Sequence, residues 1–430
     1  MPITDKDYEE MLSGVVSGLD FQTFLSSLDR DPVKGACFDS ERISFADIKA
    51  EIPEASETED DGYFEYPYGT VTGNKPLYAA GAIYPMDHSA YKVAKHLAML
   101  LKGKEQARIL DMCAAPGGKS IALCSLLTPA LLVANDLSAK RAGILKTNME
   151  RAGLLAVVTN SDPKDFAVDF QGFFDAVILD APCSGSGMSR KKEKMADDWT
   201  KDKVLACVPI QRALLDAAYG LLRKGGILSY STCSYSRQED EDQISDFLKR
   251  HKDCKAMRPC KDGCVAGIDN LGERYLPGLF DGEGQYSCFI VKLGRSPVNE
   301  PIASLPVKAA EFAFPSFSLN GNDWVNPGFD PRLARHGVIR AGYALLDKEQ
   351  YAKCPYDWDL CHCPSLPFKR LELTLDQVLK FIRGEDIRMD TKGYDGIIAI
   401  ATFKGFPLAF CRGVRGRLRN FLPKGLRVKD

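Results

Sequence analysis

The apolar positions change period several times along the chain, and the changes mark out elements. Phe21, Phe24, Leu25 and Leu28 are spaced three to four residues apart, like one helix face. From about residue 76 to 296, short apolar runs alternate with longer amphipathic segments. Arg108–Asp111 is an apolar run that ends in a Gly-rich turn, and Ile121–Leu127 then reads as a helix. Leu131–Asp136, a run that starts at Val157 and ends near Asp162, Asp175–Asp180 and Ile227–Ser231 read as the next strands. Ala139–Ala152, Ile210–Leu222 and Glu239–Arg250 read as helices among them, and Tyr286–Leu293 as a late strand. Lys224-Gly225-Gly226 supplies a helix-ending glycine signal. Strands alternating with helices of this length predict βαβ units and a parallel sheet, an α/β fold.

Either side of this block the pattern differs. Prolines 297, 301, 306, 315, 327 and 331 predict a linker or irregular connection. Beyond it, Leu375–Ile382 has helical spacing, and Gly396–Thr402, a Lys404-Gly405 turn and Pro407–Phe410 read as a hairpin. The expected division is a leading region over 1–75, the α/β block over 76–296, a connection over 297–340 and a C-terminal domain over 341–430.

At 430 residues, with 45% hydrophobic and 27% charged, the chain has ordinary globular composition, which excludes global disorder. Its net charge of −2 argues against a uniformly basic nucleic-acid binder but leaves room for a local basic patch. The acids from Glu51 to Asp61 come without a base, so that stretch reads as a solvated loop. Cysteine is abundant, 14 residues against 5 histidines. The acidic N-terminus lacks the pattern of a secretory signal, and no apolar run reaches the roughly 18–20 residues of a transmembrane helix. A cytoplasmic protein with reduced thiols and no membrane partner is therefore expected. Neither Cys254/Cys260/Cys264 nor Cys354/Cys361/His362/Cys363 has the paired spacing of a structural zinc site, so no metal is expected.

Candidate chemistry lies at the strand ends. Asp111-Met-Cys113-Ala114-Ala115-Pro116-Gly117-Gly118-Lys119-Ser120 follows a strand and precedes a helix. In open α/β sheets ligands lie at the carboxyl ends of strands, and a glycine turn lets backbone approach them closely. The run fits neither a Walker A loop nor a G-x-G-x-x-G fingerprint. Asp136, Asp162 and Asp180 end or follow three other strands, and together with the glycine turn they suit a nucleoside ligand. Cys183 follows one strand in Asp180-Ala-Pro-Cys183-Ser-Gly-Ser-Gly, and Cys233 follows the next in Tyr230-Ser-Thr-Cys233-Ser. Two cysteines on one rim beside such a pocket point to covalent catalysis. Adding a thiolate at C6 of a pyrimidine makes C5 enamine-like and able to attack an electrophilic methyl group. A carboxyl at N3 stabilises the charge developing in the ring, and a second thiol near C5 can assist release. Cys233, Cys183 and Asp180 fit that division of labour.

These motifs resemble the RNA 5-methylcytosine methyltransferases of the NOL1/NOP2/Sun family, over about 75–295. The resemblance implies a Rossmann-like S-adenosylmethionine-dependent methyltransferase core. It implies that Cys113, Ala114, Ala115, Pro116, Gly117, Gly118, Lys119, Asp136, Asp162 and Asp180 bind S-adenosyl-L-methionine, that Cys233 is the nucleophile and that Cys183 assists release. DNA cytosine-C5 methyltransferases use the earlier Pro-Cys loop for attack, so the Thr-Cys loop favours RNA over DNA. Three stretches depart from the family's usual pattern: Tyr84–Ser89 before the core, Gln238-Glu-Asp-Glu241 in place of Glu-Glu-Asn-Glu, and Lys34-Gly-Ala-Cys-Phe in the leading region where an Arg-Val-Asn stretch is common.

The C-terminus adds a basic segment, with Arg412, Arg415, Arg417, Arg419, Lys424 and Arg427 as expected RNA contacts and Phe403, Phe406, Phe410 and Phe421 among them as stacking candidates. The ending from Gly416 to Arg427 resembles the PUA-like, β-rich RNA-binding end of the bacterial ribosomal small subunit methyltransferase F subgroup. That implies 16S rRNA or the small ribosomal subunit as partner. Transfer RNA is the alternative substrate, and a non-catalytic RNA binder in ribosome assembly is the alternative from another class.

Overall fold

The computed structural model describes residues 4–12, 21–104, 107–188, 199–257, 264–296, 316–345, 354–364 and 366–428. Five short, almost wholly buried runs make the parallel heart of a ten-stranded sheet, as expected where both faces are covered by helices. In chain order they are β1 (Arg108–Asp111), β2 (Leu131–Asn135), β3 (Ala156–Thr159), β4 (Phe174–Asp180) and β5 (Leu222–Thr232), and they lie in the order β3-β2-β1-β4-β5. An antiparallel strand, β6 (Gln285–Lys292), pairs with β5 and carries three short strands on its far side. Helices α1 (His88–Leu101), α2 (Gly118–Leu126), α3 (Ala139–Arg151), α4 (Lys201–Leu221) and α5 (Glu241–Arg250) flank the sheet. Strand order reverses between β1 and β4, which opens a crevice at their carboxyl ends.

Several boundaries differ from expectation for local reasons. Helix α4 begins nine residues early because the Thr200 hydroxyl caps it, accepting from the amide of Lys203, and Pro209 is accommodated inside it. By length and composition α4 is the one helix among the described residues apolar enough to cross a membrane. Gln211, Leu214, Leu215, Ala218 and Leu221 on it are buried in the protein.

The region read as an irregular connection over 297–340 is structured wherever it is described. Ser316–Leu319 and Asn322–Val325 form a hairpin, and β7 (Val338–Ala341) adds antiparallel to the free edge of β3. Arg340 on β7 is fully buried, donating to Ala156 O at 3.0 Å and lying 3.4 Å from Asp359. Covering that edge removes a row of unpaired backbone groups. A proline-rich composition does not report such pairing.

Residues 36–83 and 371–428 share one hydrophobic core. A four-stranded sheet holding Lys34–Phe38, Ser56–Glu57, Tyr63–Tyr66 and Ile83–Pro85 buries Ile48, Phe64 and Leu77 against Val378, Phe381, Ala399 and Leu408 of the C-terminal five-stranded sheet. The expected C-terminal hairpin is Ile398–Phe403 with Phe406–Val414, turned at Lys404 (φ 51°) and Gly405 (φ 76°), the left-handed pair a two-residue turn needs. The expected helix face at Phe21–Leu28 buries Phe24 beside Tyr8 and Tyr235.

The acidic stretch is solvated at Glu54, Glu57, Glu59 and Asp61, but not at Asp60 or fully at Glu51. Asp60 is buried and receives three cations: His88 Nε2 at 2.6 Å, Lys92 Nζ at 2.8 Å and Lys95 Nζ at 2.6 Å. Burial opposes its charge, but the hydrogen bonds from His88, Lys92 and Lys95 win and hold the carboxyl well below its ordinary range. Glu51 is half-buried and accepts from the amide of Leu77, and burial pushes it up to about 7. Removing one partner of a buried cluster strands the others, at a cost of about 3–5 kcal/mol. Asp60→Ala is expected to lower unfolding free energy by about that amount in urea titration, because Lys92 loses its buried partner; an unchanged midpoint would show that α1 does not depend on this contact.

Candidate functional site

The loop after β1 turns on Gly117, which caps α2 in the left-handed region at φ 113°. A Cβ there would meet Met149 Cε at 2.9 Å and Leu145 Cδ1 at 3.1 Å. Glycine is therefore required both by conformation and by the closeness of α3. Cys113, Ala114, Ala115, Pro116, Gly118 and Lys119 line a cavity of about 340 Å³, together with Asp111, Asp180, Met188 and Cys233. Its opposite wall is Tyr84–Met86, Asp87, Ser89 and the turn 283–285. The Tyr84–Ser89 departure thus lies in the wall of the site, where Asp87 caps α1 and accepts from the amides of Ser89 and Glu283, each at 3.0 Å. A concave site of a few hundred Å³ at the strand-order reversal is the usual place for a small ligand.

The walls fit S-adenosylmethionine on their own chemistry. Asp111 is buried, accepts from Ser120 Oγ at 2.8 Å, and leaves Oδ1 without a hydrogen bond among the described residues. Burial pushes its carboxyl up to about 7. Asp136 caps the turn into α3 by accepting from Ser138 N at 2.9 Å, while its Oδ2 takes no hydrogen bond and lies 3.4 Å from Arg141. Unsatisfied buried carboxylate oxygens beside a glycine turn are acceptors waiting for hydroxyl or amine donors. Asp136 and Asp162 sit at the ends of β2 and β3 and do not line the cavity itself. Asp162 caps a short helical turn, accepting from Lys164 N at 3.0 Å.

Asp180 ends β4, accepting from Ser231 Oγ at 2.8 Å, with Lys119 Nζ 2.8 Å from its other oxygen. The two cysteine loops meet beside it. Cys183 Sγ and Cys233 Sγ are 3.0 Å apart, both half-buried and free of any disulfide. The hydrogen bond to Cys233 and burial together push the Cys183 thiol well above its ordinary value. Cys183 is therefore held in its protonated form beside the Cys233 sulfur, and one hydrogen bond joins the two. Burial pushes Cys113 up to about 12, so that thiol packs and does not react.

One residue the sequence did not single out ties these loops together. Glu239 is fully buried. Its Oε1 accepts from Ser184 N at 2.8 Å and Gln211 Nε2 at 3.1 Å. Its Oε2 accepts from Ser184 Oγ and Ser234 Oγ, both at 2.5 Å. Ser184 and Ser234 are the residues after the two cysteines. Asp240 and Glu241 extend the anchorage: Asp240 accepts from Thr232 Oγ1 at 2.6 Å, and Glu241 pairs with Arg274 through two bonds at 2.8 and 2.5 Å. Gly187 lets the loops close, since a Cβ there would stand 2.5 Å from Gly284 O and 3.0 Å from Cys233 O. The only sequence signal for Glu239 was the acid-rich run Gln238–Glu241.

The C-terminal residues are distributed differently from expectation. Arg415, Arg417, Arg419 and Lys424 are exposed, and Arg419 is 3.5 Å from Asp386. Arg412 lies over the Phe421 ring, and Arg427 donates to Leu422 O at 3.1 Å. Phe403, Phe406 and Phe410 are core residues and not stacking platforms: Phe403 and Phe406 lie in the shared core, and Phe410 lies in a second cluster with Val325, Tyr343 and Leu360. Cys354, Cys361 and Cys363 are buried in an apolar cluster, and among the described residues no group of three ligating side chains could hold a metal; Cys260 lies outside them.

Comparison with known proteins agrees with this geometry. The family model "16S rRNA methyltransferase RsmB/F" matches residues 98–291, and "Methyltransferase RsmF PUA domain" matches 368–428, together more than half of the chain. A Klebsiella pneumoniae protein named ribosomal RNA small subunit methyltransferase F is 26% identical over 98% of this chain and 95% of its own. A Shewanella piezotolerans protein of the same name is 29% identical over 83% and 81%. Among solved structures, NSun6 from Pyrococcus horikoshii has a similar fold, with a TM-score of 0.58 at 17% identity, covering 68% of this chain and 98% of that one. A methyltransferase homologue from the same organism gives 0.55 at 23% identity over 66% and 94%. The Gly-rich loop, the paired cysteine loops and the matched C-terminal module place this chain in the RsmB/F methyltransferase family, with the PUA domain of its RsmF members, and it belongs to that family.

Proposed function

We propose that the protein forms 5-methylcytosine in 16S rRNA of the small ribosomal subunit, in the cytoplasm, with Cys233 as nucleophile. The observation that carries this reading is the 3.0 Å approach of Cys183 and Cys233 beside the cavity at the carboxyl edge of the sheet. The relatives named for the small-subunit RNA support the substrate.

Residues 113–119 with Asp136, Asp162 and Asp180 would hold S-adenosylmethionine, which would supply an electrophilic methyl group. The Cys233 sulfur adds to C6 of the cytosine, and C5 becomes nucleophilic and takes the methyl. Asp180 hydrogen-bonds the ring at N3, and the Lys119 ammonium 2.8 Å away offsets charge developing there. Loss of the C5 proton then expels the Cys233 sulfur, and Cys183 alongside assists this release. Glu239 touches no substrate in this scheme. It is a positioning residue, because it fixes both loops through Ser184 and Ser234. Arg412, Arg415, Arg417, Arg419, Lys424 and Arg427 serve the RNA backbone.

Cys233→Ala is expected to abolish methyl transfer to a 16S rRNA transcript; undiminished transfer would overturn the mechanism. Cys183→Ala should accumulate a protein–RNA adduct resistant to denaturing gel electrophoresis, and Cys183→Ala with Cys233→Ala should not. Glu239→Gln puts an amide donor among four donors, so kcat should fall roughly 10–100-fold, as for a displaced catalytic group, with KM for S-adenosylmethionine little changed; a rise in that KM with kcat intact would place Glu239 in cofactor binding instead. Bisulfite sequencing of total RNA with and without the gene should lose one or more 16S rRNA sites, whereas a lost tRNA site would redirect the substrate.

A further inference from the structure

A second concave site lies away from the methyl-transfer cavity, where three parts of the chain meet. The cleft has a volume of about 350 Å³. Arg42 comes from the N-terminal sheet region and Ala152-Gly153 from the turn after α3. His362, Arg370 and the Gly405-Phe406 hairpin come from the C-terminal part.

The cleft brings together two arginines from opposite ends of the chain. Arg42 and Arg370 are exposed, and neither has a carboxylate within ion-pair distance among the described residues. Most other arginines of the described residues are tied up: Arg274, Arg332, Arg335 and Arg340 all have acid partners. No acid lines the cleft. The acids nearest in sequence are Glu41 beside Arg42 and Glu372 two residues after Arg370; neither lines the cleft, and Glu372 is engaged by Thr402 Oγ1 at 2.7 Å and by the amide of Gly405 at 3.4 Å. The Arg42 guanidinium lies 4.2 Å from the centre of the Phe406 ring, which holds it flat and leaves its edge N–H groups free to donate. His362 Nε2 is buried and has no hydrogen-bond partner among the described residues. Burial, reinforced by the positive charge of Arg340, Arg42 and Arg370, pushes this imidazole down to about 3. The histidine is therefore neutral, and its unpaired nitrogen offers a hydrogen bond without a competing charge. The imidazole packs directly on the Gly153 backbone, since a Cβ on Gly153 would stand 2.8 Å from His362 Nδ1.

We propose that this cleft binds a phosphodiester of the substrate RNA, clamped between the guanidinium groups of Arg42 and Arg370. Guanidinium forks match phosphate oxygens in geometry and charge. A bound strand would touch all three parts at once, so the cleft would set the angle at which RNA enters the methyl-transfer cavity. This rests on the reading of the protein as an RNA methyltransferase, but it concerns residues outside the six C-terminal cations expected to hold RNA.

The test uses the full-length protein and a 16S rRNA transcript, with binding measured at several salt concentrations and methyl transfer measured in parallel. Arg42→Ala with Arg370→Ala should weaken RNA binding at least about tenfold and reduce the dependence of log K on log salt by about 1–2. KM for RNA should rise, while kcat at saturating RNA, KM for S-adenosylmethionine and thermal stability stay unchanged. Arg370→Glu alone, at an exposed strand end, should act in the same direction and covers the case in which loss of the Arg42–Phe406 contact unfolds the pair variant. Lys249→Ala, an exposed cation on α5, should change none of these. Unchanged RNA affinity and salt slope would overturn the proposal. Tight binding of inorganic phosphate that the double variant loses, with RNA binding intact, would overturn it in favour of a free-phosphate site. Normal binding of naked transcript with impaired methylation of assembled small subunits would overturn it in favour of a protein contact. If the wild-type protein binds RNA through these arginines but methylates no rRNA, the cleft stands and the proposed reaction falls.

Discussion

The arrangement depends most on one buried carboxylate. Two loops leave the carboxyl ends of neighbouring parallel strands, where the β-ladder no longer constrains them; Gly187 N donates to Cys233 O at 2.9 Å, and a buried acid clamps both loops beside that bond. Glu239 binds the residue after each cysteine and a glutamine on α4, four hydrogen bonds in all. In a water-poor setting such charge-assisted bonds reinforce one another, and a missing donor leaves an unpaired charge. The separation of the two sulfur atoms is thus set by a residue that touches neither.

That clamp is braced from outside. Tyr235 follows Ser234, and its amide donates to Ser186 Oγ at 2.8 Å, while its ring packs against Tyr8 and Phe24. The first helices of the chain thereby bear on the Cys233 loop. On the other side, α1 carries Asp87 into the wall of the cavity, and α1 is held by the Asp60 cluster. The leading region is therefore part of the frame of the site and not an appendage to the methyltransferase core. Its sheet completes a hydrophobic core with the C-terminal module.

The parallel sheet was legible in sequence because each strand is a short apolar run between amphipathic helices, and β1 to β6 lie close to where periodicity places them. The cysteine loops were legible because each places a cysteine just past the end of a predicted strand. What stayed hidden was non-local. Asp60 looked solvated because its three cations lie more than 25 positions away in sequence. The pairing of β7 with β3 is invisible in a proline-rich stretch, since edge pairing requires only backbone. The phenylalanines near the C-terminus suggested base stacking, but alternation on a hairpin puts the same residues into a core just as readily. Glu239 could not be distinguished from its acidic neighbours without knowing which donors converge on it.

Charge shows the same division between local and non-local information. A net charge of −2 comes from 56 cations and 58 anions, and counting cannot say which of them are free to meet a polyanion. The folded chain pairs many: Lys92 and Lys95 with Asp60, Arg223 with Asp175, Arg274 with Asp240 and Glu241. Even within the basic C-terminal run, Arg419 has Asp386 nearby and Arg427 is turned to a backbone carbonyl. For an exposed cation, the energy gained on meeting phosphate is greatest where no carboxylate has to be given up. A pair such as Arg42 and Arg370, contributed by opposite ends of the sequence and facing one acid-free cleft, can therefore matter more to RNA binding than a longer basic run whose members are partly neutralised at home.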